Sequence, residues 1–424
     1  MAEENDEDEQ SFIDDDEDDD IDDLESNVCP PENAASSAYK KGPFDPMDQS
    51  NYPEWSWDHV RSYVAIRKKY QYSDDQIQQI ANHDVVMLEK CNGSADYGST
   101  EEGSLQAAKR IKKVNPRVKI LFYLNSMVHY GGYLSNDSFQ AEAWATRKKN
   151  NPKQLFKLKD KYFYYDHRNL EFREWWIQRA LGMLEHEEID GIFIDAIAKT
   201  THEGRSGKGH GEAYFATATE LRERLPAGKI LIGNALRARK RGEPGGFGHL
   251  NHLHYLDGSY LEGWHADPET IVQSMELMSA ALREGRIIML NAELFGPPNP
   301  EYKKPFKEVL RSTRSLDKRY ELMKPMIKYP LAIFLLIVEP YAYLSYHYGV
   351  DASQRPGANA AFDCTRFEEL KRKFGKAKGP YVKEEGDGEF VFSREFEFVK
   401  VWVNIKTKET RYEGVDGSEH GDEL

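Results

Sequence analysis

Cysteine is scarce in this sequence. Cys29, Cys91 and Cys364 are odd in number and widely spaced, which excludes a disulfide framework and a cysteine-built metal site. Long hydrophobic runs are absent as well. The most apolar stretch, Leu331 to Val338, stops at Glu339-Pro340, well short of the roughly 18 residues that a membrane span needs. It therefore reads as buried protein, and as the end of a helix. Lys and Arg are nowhere concentrated: runs such as Arg237-Ala-Arg-Lys-Arg241 are short, whereas nucleic-acid binders carry a basic patch or stripe. No Gly-rich phosphate loop follows the first predicted strand, which argues against an open dinucleotide-binding sheet.

What is abundant is acid, and it is confined to one end. The formal net charge is −15, yet residues 1–39 hold 17 Asp or Glu and no Lys or Arg. Residues 40–424 therefore carry about +2, a near-neutral body suited to an uncharged ligand such as a sugar. Residues 1–40 have little to bury and are expected to be a disordered acidic tail. Met1 to Asp6 lack the basic and apolar regions of a secretory signal. Gly421-Asp-Glu-Leu424 resembles an endoplasmic-reticulum retention ending, which has no use without such a signal and is expected to be coincidental. Localisation stays open. Asn92-Gly-Ser94 and Asn136-Asp-Ser138 fit the glycosylation pattern, which matters in a secreted chain alone.

From about residue 60 short β-rich segments alternate with helix-forming stretches. The segments are Tyr63–Ile66, Val85–Glu89, Lys119–Asn125, Gly191–Asp195, Lys229–Asn234, Gly258–Glu262, Arg286–Asn291 and Tyr341–Ser345. Most are continuous apolar runs, as strands covered on both faces must be. Helical patterns between them include Ser104–Val114, Glu171–Glu188, Glu212–Leu225 and Pro268–Glu284. Eight strand–helix repeats predict an α/β fold, a (β/α)8 TIM barrel over residues 55–350. Residues 385–415 alternate in β fashion and are too short to stand alone, so they predict a small C-terminal β unit packed on the barrel.

In such a barrel the C-terminal strand ends line the active face. Those ends carry Glu89, Asn125, Asp195, Asn234, Glu262 and Asn291, with Glu293 close behind. Within Asp190-Gly-Ile-Phe-Ile-Asp195, Gly191, Phe193 and Asp195 share a face. Asp190 and Asp195 stand about 16 Å apart in an extended strand, so Asp195 alone reaches the mouth and Asp190 reads as a turn or cap residue. Glu262 is followed by Gly263-Trp264, a carboxylate beside an aromatic ring that can stack on a pyranose. A pair of carboxylates is what glycosidic cleavage requires: one protonates the leaving oxygen, the other attacks carbon or activates water. Asp195 and Glu262 are therefore the candidate catalytic pair. Glu89, Asn125, Asp166, Asn234, Trp264, Asn291 and Glu293 are candidates for binding sugar. For Asp166 and its neighbour His167, a cap role before the next helix competes. Trp175-Trp176 reads as helix packing. The long segment from Ser126 to about Asn169 is expected to form part of the cleft.

The runs Val85-Val-Met-Leu-Glu-Lys90, Ile111 to Ser126, Arg173-Glu-Trp-Trp176 and Asp190 to Asp195 resemble the hypothetical glycosyl hydrolase families, in particular the one numbered fifteen. The resemblance covers roughly residues 55–410. Its wider relatives are dextranase-like and α-galactosidase-like barrels, with an Asp nucleophile ending strand four and a carboxylic acid/base after strand six. Carried over, Asp195 matches the nucleophile and Glu262 the acid/base, which implies hydrolysis of an α-linked oligo- or polysaccharide.

Three alternatives compete. A carbohydrate-binding barrel without turnover would keep the same fold. A metal-dependent hydrolase would need clustered histidines, and Asn251-His252-Leu-His254 falls before strand six instead of at a strand end. A Schiff-base lyase needs a strand-end lysine in the pocket, and Lys90 would face away from it if its strand continued. The expectation is a carbohydrate ligand with no metal, cofactor, nucleic acid or membrane span; oligomeric state is open.

Overall fold

The computed structural model describes residues 47–148, 150–197, 209–236, 247–261, 267–293, 303–353, 360–385 and 388–415. The acidic tail lies outside them. Eight strands form one parallel sheet in chain order: β1 (Tyr63–Ile66), β2 (Val85–Leu88), β3 (Lys119–Asn125), β4 (Gly191–Asp195), β5 (Ile230–Gly233), β6 (Gly258–Leu261), β7 (Ile287–Glu293) and β8 (Ala342–His347). A parallel bridge from Ser62 to Leu344, with Leu344 N donating to the Arg61 carbonyl at 2.9 Å, brings β8 back to β1. The predicted barrel is thus present and nearly closed.

Strand alternation divides the apolar side chains into two layers. Tyr63, Met87, Tyr123, Phe193, Tyr260 and Met289 belong to the cluster inside the barrel. Val64, Val86, Phe122, Ile192, Leu231 and Leu290 face the surrounding helices. At the foot of the barrel the inward positions of β4 and β6 are glycines. A Cβ on Gly191 would meet the Ile230 carbonyl oxygen at 2.3 Å, and one on Gly258 the Ile287 oxygen at 2.1 Å. Only hydrogen fits there, so the neighbouring strand can approach. The segment before β1 seals this end: Tyr52 packs edge-on against Tyr341 and Trp55 against Tyr343.

The helices are α1 (Asp74–Ile80), α2 (Thr100–Val114), α3 (Leu170–Leu184), α4 (His210–Arg224), α5 (Pro268–Arg283), α6 (Lys303–Ser312), α7 (Leu316–Met323) and α8 (Lys328–Ile337). Their starts follow local sequence. Ser73, Ser99, Asn169, Asp267 and Ser315 each accept a backbone N–H of the first turn, satisfying donors that the helix cannot. The apolar run 331–338 ends α8, as expected, and its residues are buried on all sides.

The second cover over α8 is the C-terminal sheet. It orders β9 (Val382–Lys383), β10 (Val391–Glu395), β11 (Val399–Asn404) and β12 (Glu409–Gly414) as an antiparallel sheet, and the last three strands pack on α8. Buried Arg394 of β10 donates to the carbonyls of Leu335, Leu336 and Val338 at 3.3, 3.0 and 2.7 Å and pairs with Glu339. It caps the C-terminal end of α8 and fastens the sheet to the barrel. No described helix is long and apolar enough to cross a membrane.

Candidate active site

The inward phase that fills the barrel continues upward into polar residues. Two positions above Leu121 is Tyr123, then Asn125; above Gly191 stand Phe193 and Asp195; Ile230 and Ile232 lead to Asn234; Ile287 and Met289 lead to Asn291. The structure therefore brings Asn125, Asp195 and Asn234 together on three adjacent strands.

Asp195 is half-buried at the centre of this group. Its Oδ2 accepts from the Tyr123 hydroxyl at 2.6 Å and from Asn125 Nδ2 at 3.1 Å. Its Oδ1 accepts from Asn234 Nδ2 at 3.1 Å and from the Ala196 amide at 2.7 Å. Ala196 reaches that position with φ 62, a left-handed conformation that costs a non-glycine residue energy and is common where function fixes the backbone. Each donor stabilises a negative carboxylate.

A further layer fixes the donors. Asn125 Oδ1 accepts from the Met127 and Val128 amides, both at 2.8 Å, so its NH2 must face Asp195. Trp176 of α3 donates to the Asn125 carbonyl at 3.1 Å, which makes it helix packing that also braces the site. Ser126 donates to the Asp195 carbonyl through Oγ at 2.7 Å and N at 3.1 Å. His167 in turn donates to the Ser126 carbonyl at 2.7 Å; it is fully buried, and burial pulls its pKa down to about 3. Burial, reinforced by the charge of Asp195, raises Tyr123 well above its ordinary value and keeps the phenol a donor.

On the other side of the mouth Asn291 donates to the Tyr260 hydroxyl at 2.9 Å and meets His347 Nε2 at 2.7 Å. Glu89 follows β2 directly and lies 3.9 Å from Arg67, which follows β1. Asp166 is not joined to this group. Burial pushes its carboxyl up, but Arg168, holding both oxygens at 2.8 Å, leaves it below its usual range. The cap of α3 is Asn169, not Asp166. Glu262 and Trp264 lie outside the described residues, and of Glu293 only the backbone, paired with His347, is described.

The remaining readings resolve simply. Asp190 accepts from the Ile120 amide at 2.8 Å and pairs with Lys112 at 2.7 Å, a structural role at the foot of the barrel. His252 is buried, stacked on Phe215 at 4.9 Å and bonded to Tyr255. Lys90 departs from expectation. β2 ends at Leu88 and the chain turns at Cys91, φ 70, so Lys90 leaves strand phase and lies 5.7 Å from the Tyr123 ring. Tyr123 itself was legible in principle, standing in phase two residues before Asn125.

Similarity to known proteins agrees with this picture at the level of family. Residues 112–400 match the model of hypothetical glycosyl hydrolase family 15. No curated protein matches the chain. Among solved structures, an α-amylase of Geobacillus thermoleovorans complexed with acarbose shares 12% identity at a TM-score of 0.45, over 88% of this chain and 96% of that one. A GH36 α-galactosidase of Geobacillus stearothermophilus in complex with raffinose shares 10% at 0.44, over 88% and 50%. A cycloisomaltooligosaccharide glucanotransferase of Paenibacillus sp. shares 15% at 0.42, and this chain spans 39% of it. With scores this low, the fold rests on the strand pairing itself. The family match covers well over half of the sequence, and the chain belongs to hypothetical glycosyl hydrolase family 15.

Proposed function

We propose that the chain hydrolyses a glycosidic bond, in an α-linked oligo- or polysaccharide, with Asp195 and Glu262 as its carboxylate pair. The observation that carries this reading is the carboxylate of Asp195, raised into the barrel mouth and held by four donors: two on β3, Asn234 just past the end of β5, and the amide of the turn after β4. A carboxylate fixed in this way can attack the anomeric carbon, forming a glycosyl ester as the leaving oxygen departs, or can take the proton of a water that attacks instead. Glu262 is two residues past inward-facing Tyr260, the phase that would aim it at the same mouth. It is assigned the acid that protonates the departing oxygen. In a retaining enzyme it then becomes the base, with the carboxyls about 5 Å apart; inversion would need about 6.5–9.5 Å.

The other assignments follow from position. Asn125 and Asn234 orient Asp195, and Glu89 and Asn291, beside other strands of the mouth, are assigned contacts with sugar; Glu293 and Trp264 are assigned the same from the sequence alone, and Asp166, held by Arg168 apart from this group, only at the outer edge of the cleft. The test is a screen of α-linked oligosaccharides and aryl α-glycosides, followed by Glu262→Gln. The acid role predicts a loss of about 10²-fold or more on poor leaving groups and far less on activated aryl glycosides. Equal losses on both would remove Glu262 from that role. Sugar binding without turnover on any of these compounds would favour the inactive, carbohydrate-binding barrel.

A further inference from the structure

Beside the Asp195 group, at the ends of β1 and β2, a cavity of about 270 Å³ opens toward solvent. Its charged lining is Arg67, Lys69 and Lys90 against one carboxylate, Asp351. The Oδ1 of Asp351 is already engaged by Ser353, whose amide donates at 2.9 Å and whose hydroxyl also contacts it. Arg67 shares its charge with Glu89 at 3.9 Å. Lys90 does not. It is only 7% exposed, and among the described residues its Nζ meets two aromatic faces, Tyr130 at 4.9 Å and Tyr123 at 5.7 Å, and no carboxylate. A buried ammonium is costly unless an anion or its equivalent offsets it. Aromatic faces do so in part.

The position is as informative as the charge. The Tyr123 ring that Lys90 overlies donates its hydroxyl to Asp195. The lysine therefore stands one side chain away from the proposed reacting centre, a span on the order of one sugar unit. Opposite it, Gly131-Gly132 from the segment between β3 and β4 lines the cavity, and Thr100 pins that turn through two bonds to the Gly132 carbonyl, at 2.7 and 2.9 Å. The walls are thus fixed before a ligand arrives. From this geometry we infer that the cavity is a subsite for an anionic sugar, one carrying a carboxylate or a sulfate ester, whose charge is met by the Lys90 ammonium with Arg67 and Lys69 as further lining cations. The inference rests on the glycoside reading and names the substrate class; the near-neutral body as a whole gave no hint of it.

The test is equilibrium binding to the full chain, which needs no turnover and so stands apart from any failure of Asp195 or Glu262 as catalysts. Galacturonate and glucuronate are compared with galactose and glucose, and with inorganic sulfate. The uronates should bind about tenfold or more tightly than their neutral counterparts, with an affinity that falls as salt is added. Lys90→Gln should abolish that preference, and Lys90→Arg should restore most of it. Equal binding of uronate and neutral sugar by the unaltered protein, or no binding of either, would overturn the inference without recourse to a variant. Sulfate binding as tightly as the uronates would overturn the sugar part and leave an ion site only.

Discussion

Tyr123 is the residue on which the geometry of Asp195 most depends. Its hydroxyl gives the shortest bond to the carboxylate, 2.6 Å, and a hydrogen bond to a charged group is worth about 1.5–3 kcal/mol. Tyr123→Phe keeps the ring that packs on Phe193 at 5.9 Å and deletes only the donor. It should lower kcat about 10- to 100-fold, with the thermal midpoint changed little; an unaltered kcat would show that Tyr123 does not position Asp195. The buried histidines give a different signal. His167 has a pKa near 3 and His129 near 4, both depressed first by burial, against about 6.5 in an unfolded chain. Between those limits the unfolded chain binds protons that the folded one refuses. Stability is therefore full above about pH 6.5 and falls as pH drops, by about 2 kcal/mol at pH 5 for His167 alone. Thermal midpoints measured from pH 7.5 to 5 should decline steadily, and a flat profile would contradict the burial of neutral His167.

At the scale of elements, the strands were the most legible feature because two-sided burial leaves an unmistakable record. All eight expected segments begin within one residue of the observed strands, and the last, expected to end at Ser345, runs on to His347. The apolar run 331–338 was readable as a helix from the break at Glu339-Pro340, although not why it is apolar all round. That reason lies in β10–β12, which cover its outer face. Other features leave no local pattern. The hairpin strands Arg147–Lys148 and Asn151–Leu155 are polar and exposed, and nothing in the run Val85–Lys90 marks that the strand stops at Leu88, two residues before Lys90. Asp195 was legible as a carboxylate after an apolar strand; that Asn125 and Asn234 would hold it required knowing which strands are neighbours. Arg394 was not foreseen, since a charged residue in a strand reads as exposed. Arg394→Met would leave three carbonyls of the α8 end unmet and should cost about 2–4 kcal/mol, visible as a lower denaturation midpoint. A change under about 0.5 kcal/mol would mean that it does not join sheet to barrel.

Taken whole, the molecule is a barrel with its foot and its mouth built for different tasks. The foot is made of close strand contacts at Gly191 and Gly258 and aromatic plugging by Tyr52 and Trp55. The mouth gathers amides, phenols and carboxylates that the strand phase lifts out of the same apolar layers. Stability and activity should accordingly separate, and Asp195 is the place to separate them. On the first α-linked substrate found to be cleaved, the decisive measurement is single-turnover hydrolysis by Asp195→Asn, alongside its binding of that substrate and its thermal midpoint. The amide keeps the shape and the packing while removing the charge. The account predicts a rate lower by about 10³-fold or more, with the midpoint shifted little and the substrate still bound. Hydrolysis at the full wild-type rate by a folded Asp195→Asn protein would contradict it.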